Sequence, residues 1–269
     1  MDSLIAFFAL TYVVTWACFL TAGALARGEM TALAALRMPL LLIGSFAPSL
    51  TAILLTARAS GRSGVGELLG RLKIWRVGIP WYAFALGFMA CVKGVVALVH
   101  RVATGEWPTF GHESWYSILV AIVLAGIVGG PLGEEIGWRG YALPRLADRF
   151  GLATGSVLLG VLWGCWHLPI FFIPGLEQFG QSIPTYLLQV VALSVAMAWL
   201  YGHSRGSLLL AVLMHSAINQ TKDLVPSAVV GATNPWALSP SRVAWLTVGI
   251  LWIAAAFFLV RMPGAHARR

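Results

Sequence analysis

The sequence predicts an all-α membrane protein, a polytopic bundle of about eight transmembrane helices. Three observations lead there. Charged residues make up 10% of the 269 residues, against roughly 25% in a soluble chain. Hydrophobic residues make up 59%, and the mean hydropathy is +0.82. Apolar runs near the length a bilayer demands, about 20 residues, recur along the whole chain, too many for one soluble core.

Taken in order, the expected spans are 4–26, 39–57, 80–101, 116–138, 154–173, 183–201, 207–224 and 243–260. The first opens the chain as MDSLIAFFALTYVVTWACFLTAGALAR. It lacks a basic n-region, and its apolar stretch is longer than a signal h-region, so it reads as a retained helix. Glycine and proline punctuate the ends of most spans: Gly61, Gly64, Pro80, Gly151, Pro174, Gly175, Pro235 and Pro263. The spans group as N-terminal helices (1–110), a helical core carrying the polar motifs (116–224) and a last helix with a basic tail (225–269).

Lysine and arginine give an orientation. With the N-terminus inside, twelve fall on the inner side (Arg58, Arg62, Arg71, Lys73, Arg76, Arg139, Arg145, Arg149, Arg205, Arg261, Arg268, Arg269) and five on the outer (Arg27, Arg37, Arg101, Lys222, Arg242). The positive-inside rule then expects both termini in the cytoplasm. The expected location is a bacterial cytoplasmic membrane, with lipid as the surrounding partner. The net charge of +8 does not signal nucleic acid, because the basic residues sit at helix ends, where they set topology and meet anionic headgroups. Cys18, Cys91 and Cys165 are an odd number within apolar runs, with no CxxC, and form no disulfide framework.

Against this background GEEIGWRGY, Gly133 to Tyr141, stands out. A charge near the bilayer centre costs at least ~2.5–3.5 kcal/mol on insertion scales, and this stretch carries three. Glu135 and Arg139 are one helical turn apart and can pair. Glu134 lies about 100° around the helix from Glu135, free for another task. Two further helices carry Trp163 with His167 (WGCWH) and His215 with Asn219 (HSAIN), each i,i+4 on one face. If the three polar faces converge, they enclose a wet cavity in an apolar bundle. Singly, each has a structural reading: a hydrogen-bonded helix histidine, a buried ion pair, an amide joining helices. Together, six costly groups on three helices point to one site. Lys93 lies mid-span without an obvious partner, and His203 beside Arg205 reads as solvated. HExxH and Walker motifs are absent from the sequence.

The ordered set EEIGWR, WGCWH and HSAIN, with GSLLLAVLMHSAIN around the last, resembles the CPBP family: type II CAAX prenyl proteases and bacteriocin-processing enzymes, also called ABI proteins. The resemblance covers about Tyr116 to Leu224. It implies that Glu134 is the catalytic glutamate, that His167 works with it on the attacking water, and that His215 and Asn219 are oxyanion stabilisers or metal ligands. Glu135 and Arg139 match the supporting pair. Trp163 stands where the family usually has Phe. The implied activity is an intramembrane endopeptidase acting near the C-terminus of a membrane-associated peptide or lipidated protein. The attacking water is activated by glutamate, either without metal or with Zn2+ or another divalent ion on Glu134, His167 and His215. Two rival readings use the same residues: a transporter or proton relay, which needs a path to both surfaces, and a non-proteolytic scaffold or immunity protein. The protease reading expects a cavity open to the cytoplasm or laterally to lipid, and closed outside. At ~1.5 Å per residue, His215 and His167 are expected ~12 and ~20 Å from the inner surface and Glu134 nearer to it, so convergence requires tilted or offset helices.

Overall fold

The apolar runs form helices throughout the computed structural model, which describes residues 3–28, 31–112, 114–128, 130–227, 234–238 and 241–262. The helices are α1 (Ser3–Ala26), α2 (Arg37–Gly70), α3 (Ile79–Thr104), α4 (Trp115–Val128), α5 (Gly130–Gly137), α6 (Leu143–Phe150), α7 (Leu152–Trp166), α8 (Ile183–His203), α9 (Leu208–Thr221) and α10 (Arg242–Arg261). Six segments are long and apolar enough to cross a membrane: α1, α2, α3, α7 with its 3-10 extension, α8 and α10.

The remaining two expected spans take other forms. Span four is bent: Tyr116–Gly126 and Gly130–Phe150 meet at 50°, making a seventh crossing only as a pair. Past the bend the helix widens into a π-turn at Trp138–Ala142, a distortion that often marks functional sites. The seventh expected span is α9, only 14 residues, about 21 Å at 1.5 Å per residue against a hydrocarbon core of ~30 Å. It survives because it is wrapped by α3, α4, α5 and α8 rather than by lipid. Span two also runs past its expected end at 57. α2 continues to Gly70, with Gly61 at φ 61° marking a kink in the polar extension.

Counting the bent α4–α6 run as one span, successive spans alternate in direction, so the bundle has two ends. The terminal end carries Ser3 and Arg261. It is stitched by Tyr141 Oη donating to Ser3 O at 3.5 Å, by Arg71 donating to Gly140 O at 3.2 Å and to Tyr201 Oη at 2.8 Å, and by Ser207 Oγ donating to Ile74 O at 2.7 Å. The far end carries the segments near 104–112, 173–182, 222–227 and 234–238. There Gly111 N donates to Leu224 O at 3.1 Å, Ile183 N to Pro235 O at 2.7 Å, and Arg37 to Pro174 O at 3.1 Å.

Two packing features position the polar motifs. Gly133 and Gly137 lie one turn apart on the face of α5 against α2. A Cβ on Gly137 would sit 2.5 Å from the Pro48 carbonyl carbon, and one on Gly133 would sit 2.8 Å from the Phe46 ring. The two glycines let backbone approach backbone, as small residues do between membrane helices, and send the glutamates to the other side. The C-terminal turn of α7 is tied to α1: Trp166 Nε1 donates to Thr15 Oγ1 at 2.9 Å, Trp16 Nε1 donates to Trp166 O at 3.0 Å, and Tyr12 donates to Leu162 O.

Lys93 is not partnerless, as the sequence suggested. Buried in α3, it donates to Val225 O at 2.9 Å, to Thr247 Oγ1 at 3.2 Å and to Ser227 Oγ. It holds the chain leaving α9 against α3 and α10. His203 is exposed as expected, its Nδ1 2.8 Å from Trp199 O and its ring 3.8 Å from the Trp199 ring.

Candidate active site

With the Gly133–Gly137 face of α5 against α2, both glutamates are buried inside the bundle. Glu134 is 6% exposed, and Glu135 and Arg139 are fully buried. Arg139 donates to Glu135 Oε1 at 2.7 Å, an i,i+4 pair on one helical face. The same oxygen accepts His215 Nδ1 from α9 at 2.8 Å. One carboxylate oxygen thus joins two elements. The Arg139 guanidinium also lies 4.3 Å from the Trp163 ring centre, a cation–π contact strengthened by desolvation.

Glu134 faces elsewhere, as its 100° offset requires. Its Oε2 accepts the Trp163 indole N–H at 2.7 Å. Trp163 is the hub of the site. Its ring meets His167 edge-on at 5.8 Å and His215 at 5.2 Å. Sequence reading assigned this residue only a packing role. The available signal was chemical: an indole carries a donor that a Phe ring lacks.

His167 is not inside a helix. It caps the C-terminus of α7, where Pro169 turns the chain into a 3-10 segment. Its Nδ1 lies 2.8 Å from Trp163 O. A carbonyl can only accept, so Nδ1 carries the proton and Nε2 is left as an acceptor. Trp166 and Tyr186 flank the ring at 4.6 and 5.6 Å.

Glu134, Trp163, His167, His215 and Asn219 line one cavity of about 670 Å³. Tyr186 and Gln189 of α8 line it too. Sequence reading did not single them out, because one tyrosine and one glutamine in an apolar helix carry no motif. The lining extends toward the far end through Glu177, Gln178, Gln181, Lys222 and Asp223, where Lys222 pairs with Glu177, and toward α2 and α4 through Leu41, Ser45 and Ser117. At the other end Trp138, Tyr141 and Phe7, all buried, pack edge to face and stack at 5.1–5.5 Å. This aromatic plug lies between the site and the terminal end, where a relay through the membrane would need a polar path.

The Zn2+ arrangement expected of Glu134, His167 and His215 was tested on donor geometry. Among the described residues no three His, Cys, Asp or Glu side chains are gathered as metal ligands. One Glu134 oxygen is taken by Trp163, and His215 Nδ1 by Glu135. These bonds leave Glu134 Oε1 and Nε2 of His167 and His215, and a carboxylate or carbonyl on the other ring nitrogen is the usual partner of a metal-bound histidine, so the donor types suit a metal although the three side chains are not gathered on one point as placed.

Comparison with known proteins follows this geometry. Residues 114–221 match the family model described as type II CAAX prenyl endopeptidase, Rce1-like. The matched segment holds every residue named in the three motifs. Over 229 residues, 81% of this chain and 83% of the relative, the chain is 24% identical to CAAX prenyl protease 2 of Methanococcus maripaludis.

Proposed function

We propose, from the match of residues 114–221 to the type II CAAX prenyl endopeptidase model and the likeness to CAAX prenyl protease 2, that this chain is a CAAX-type intramembrane protease of the CPBP family and hydrolyses a peptide bond near the C-terminus of a membrane-associated substrate, a lipidated protein or a peptide tail. The observation that carries this reading is the convergence of Glu134, His167 and His215 around Trp163 in one buried, polar-lined cavity.

Glu134 has one oxygen held by the indole, which leaves the other for a water in the cavity. Hydrolysis requires that water to lose a proton as its oxygen attacks the scissile carbonyl carbon. Glu134 takes that proton and delivers it to the leaving amine as the C–N bond breaks, so the carboxylate is regenerated. His167, fixed by the Trp163 carbonyl, offers Nε2 to orient the water. The oxygen of the tetrahedral intermediate needs preorganised donors. The Asn219 amide is one. His215 Nε2 is a second when the ring carries both protons, a charge that Glu135 on Nδ1 balances.

Glu135 and Arg139 position His215 and do not touch the reacting atoms. A prenylated tail is what the name of the Methanococcus maripaludis relative implies, and it is the substrate proposed first. The deciding experiment is cleavage of lipidated and unlipidated C-terminal peptides in liposomes by the parent and by Glu134→Gln. Equal cleavage by both proteins overturns the assignment.

A further inference from the structure

Helix α8, with the residue that caps it, supplies one wall of the cavity, and that wall is a single stripe. Ser182, Thr185, Tyr186, Gln189, Val190 and Leu193 all line the cavity, at the three- and four-residue steps that put side chains on one face of a helix. Ser182 and Thr185 are committed to the fold. Ser182 Oγ donates to Ala237 O at 2.7 Å and caps the helix by accepting from Thr185 N. Thr185 Oγ1 donates to Ser182 O at 3.2 Å. The Tyr186 hydroxyl and the Gln189 amide bond to nothing among the described residues.

Of these two, Tyr186 stands beside the reacting groups. Its ring meets His167 edge-on at 5.6 Å and Phe171 at 4.9 Å, and its hydroxyl is within electrostatic reach of the Glu134 carboxylate. A tyrosine near the end of a membrane helix commonly sits in the headgroup belt. Here the ring is turned inward, against His167 and a Phe171 that is 2% exposed. Phenylalanine would make the same two ring contacts, so the hydroxyl adds nothing to the packing. A polar group held in an apolar bundle without a partner destabilises it, and a ligand that completes the bond removes that penalty.

We propose that Tyr186 is a further catalytic residue, its hydroxyl donating a hydrogen bond to the carbonyl oxygen of the scissile peptide as that oxygen becomes the tetrahedral oxyanion. The role rests on the protease reading. A phenol donates while neutral near pH 7, as the Asn219 amide does, whereas His215 donates through Nε2 only when its ring carries both protons. Neutral donors on α8 and α9 then hold the oxygen from two helices. The phenol keeps its proton throughout, while Glu134 carries a proton from the water to the leaving amine.

Tyr186→Phe tests this, because it removes the hydroxyl and keeps the ring. Cleavage kinetics of a lipidated C-terminal peptide in liposomes and thermal unfolding are measured on the same variant. The expected result is a kcat lower by about tenfold or more, as when one oxyanion donor is lost, with KM nearly unchanged and a parental melting temperature. An unchanged kcat overturns the proposal. So does a higher KM at parental kcat, which makes the hydroxyl a contact of uniform binding. A melting temperature that falls together with kcat assigns the hydroxyl to the fold and overturns the proposal as well. Glu134→Gln, run alongside, keeps the two readings apart. If it is inactive while Tyr186→Phe is parental, only the role of Tyr186 falls. If it cleaves at the parental rate, the protease reading falls, and the role of Tyr186 with it.

Discussion

Trp163 and Glu134, 29 positions apart, are joined by an indole N–H donated to Oε2 at 2.7 Å. The bond holds α7 to α5 at the point where chemistry is proposed, and it depends on the indole donor of Trp163. Trp163→Phe keeps an aromatic wall beside His167, His215 and Arg139 but removes the donor. A hydrogen bond to a charged group is worth about 1.5–3 kcal/mol. The expected outcome is a kcat lower by about tenfold or more, with KM and melting temperature nearly unchanged. A fall in thermal stability with unaltered kcat would make Trp163 a packing residue only.

Glu134 and Glu135 are adjacent, yet substitution is expected to harm them differently. Glu134→Gln still accepts from Trp163 through its amide oxygen, so folding should be near parental. Cleavage should fall by about 10² or more, the scale of losing a general base. Glu135→Gln leaves Arg139 without its counter-charge and loosens His215, so yield and melting temperature should fall first. Thermal unfolding and peptide cleavage measured side by side on both variants separate the two roles.

Arg139 has no water to retreat to, being fully buried. Truncation to alanine leaves Glu135 as an uncompensated buried charge, a defect worth about 3–5 kcal/mol. Arg139→Ala is expected to lower thermostability in detergent markedly. A parental melting temperature would show that Glu135 takes up a proton or finds another partner.

Gly137 is where α5 and α2 touch backbone to backbone. A Cβ there has no room against Pro48, and packed interiors do not absorb such overlap cheaply, at about 1–3 kcal/mol. Gly137→Ala should displace the glutamates and reduce cleavage along with stability. Gly87→Ala, in open space on α3, is the matched control and should change neither.

Metal dependence is decided by chelation. The mechanism proposed uses only side chains, so cleavage should persist after exhaustive treatment with a chelator, with no metal retained by elemental analysis. Loss of cleavage restored by Zn2+ would instead assign Glu134, His167 and His215 as ligands.

What the sequence determined alone is the class of molecule and the addresses of its unusual residues. Long apolar runs can only be helices in lipid, because every backbone polar group must be satisfied within the segment. A glutamate or histidine within such a run is costly enough to be conspicuous. Pairing within one helix was legible too, since Glu135 and Arg139 sit at i,i+4. What tertiary structure decided is everything that crosses between helices. His215 reaches Glu135 over 80 positions, and Lys93 reaches Val225 over 132. Those contacts depend on the rotation and depth of each helix, which hydrophobic periodicity does not encode when a helix is apolar all round. The bend in span four and the shortness of α9 arise in the same way. They follow from glycine-mediated contact between α5 and α2 and from the shelter that neighbouring helices give to α9, so they exist only once the helices have packed.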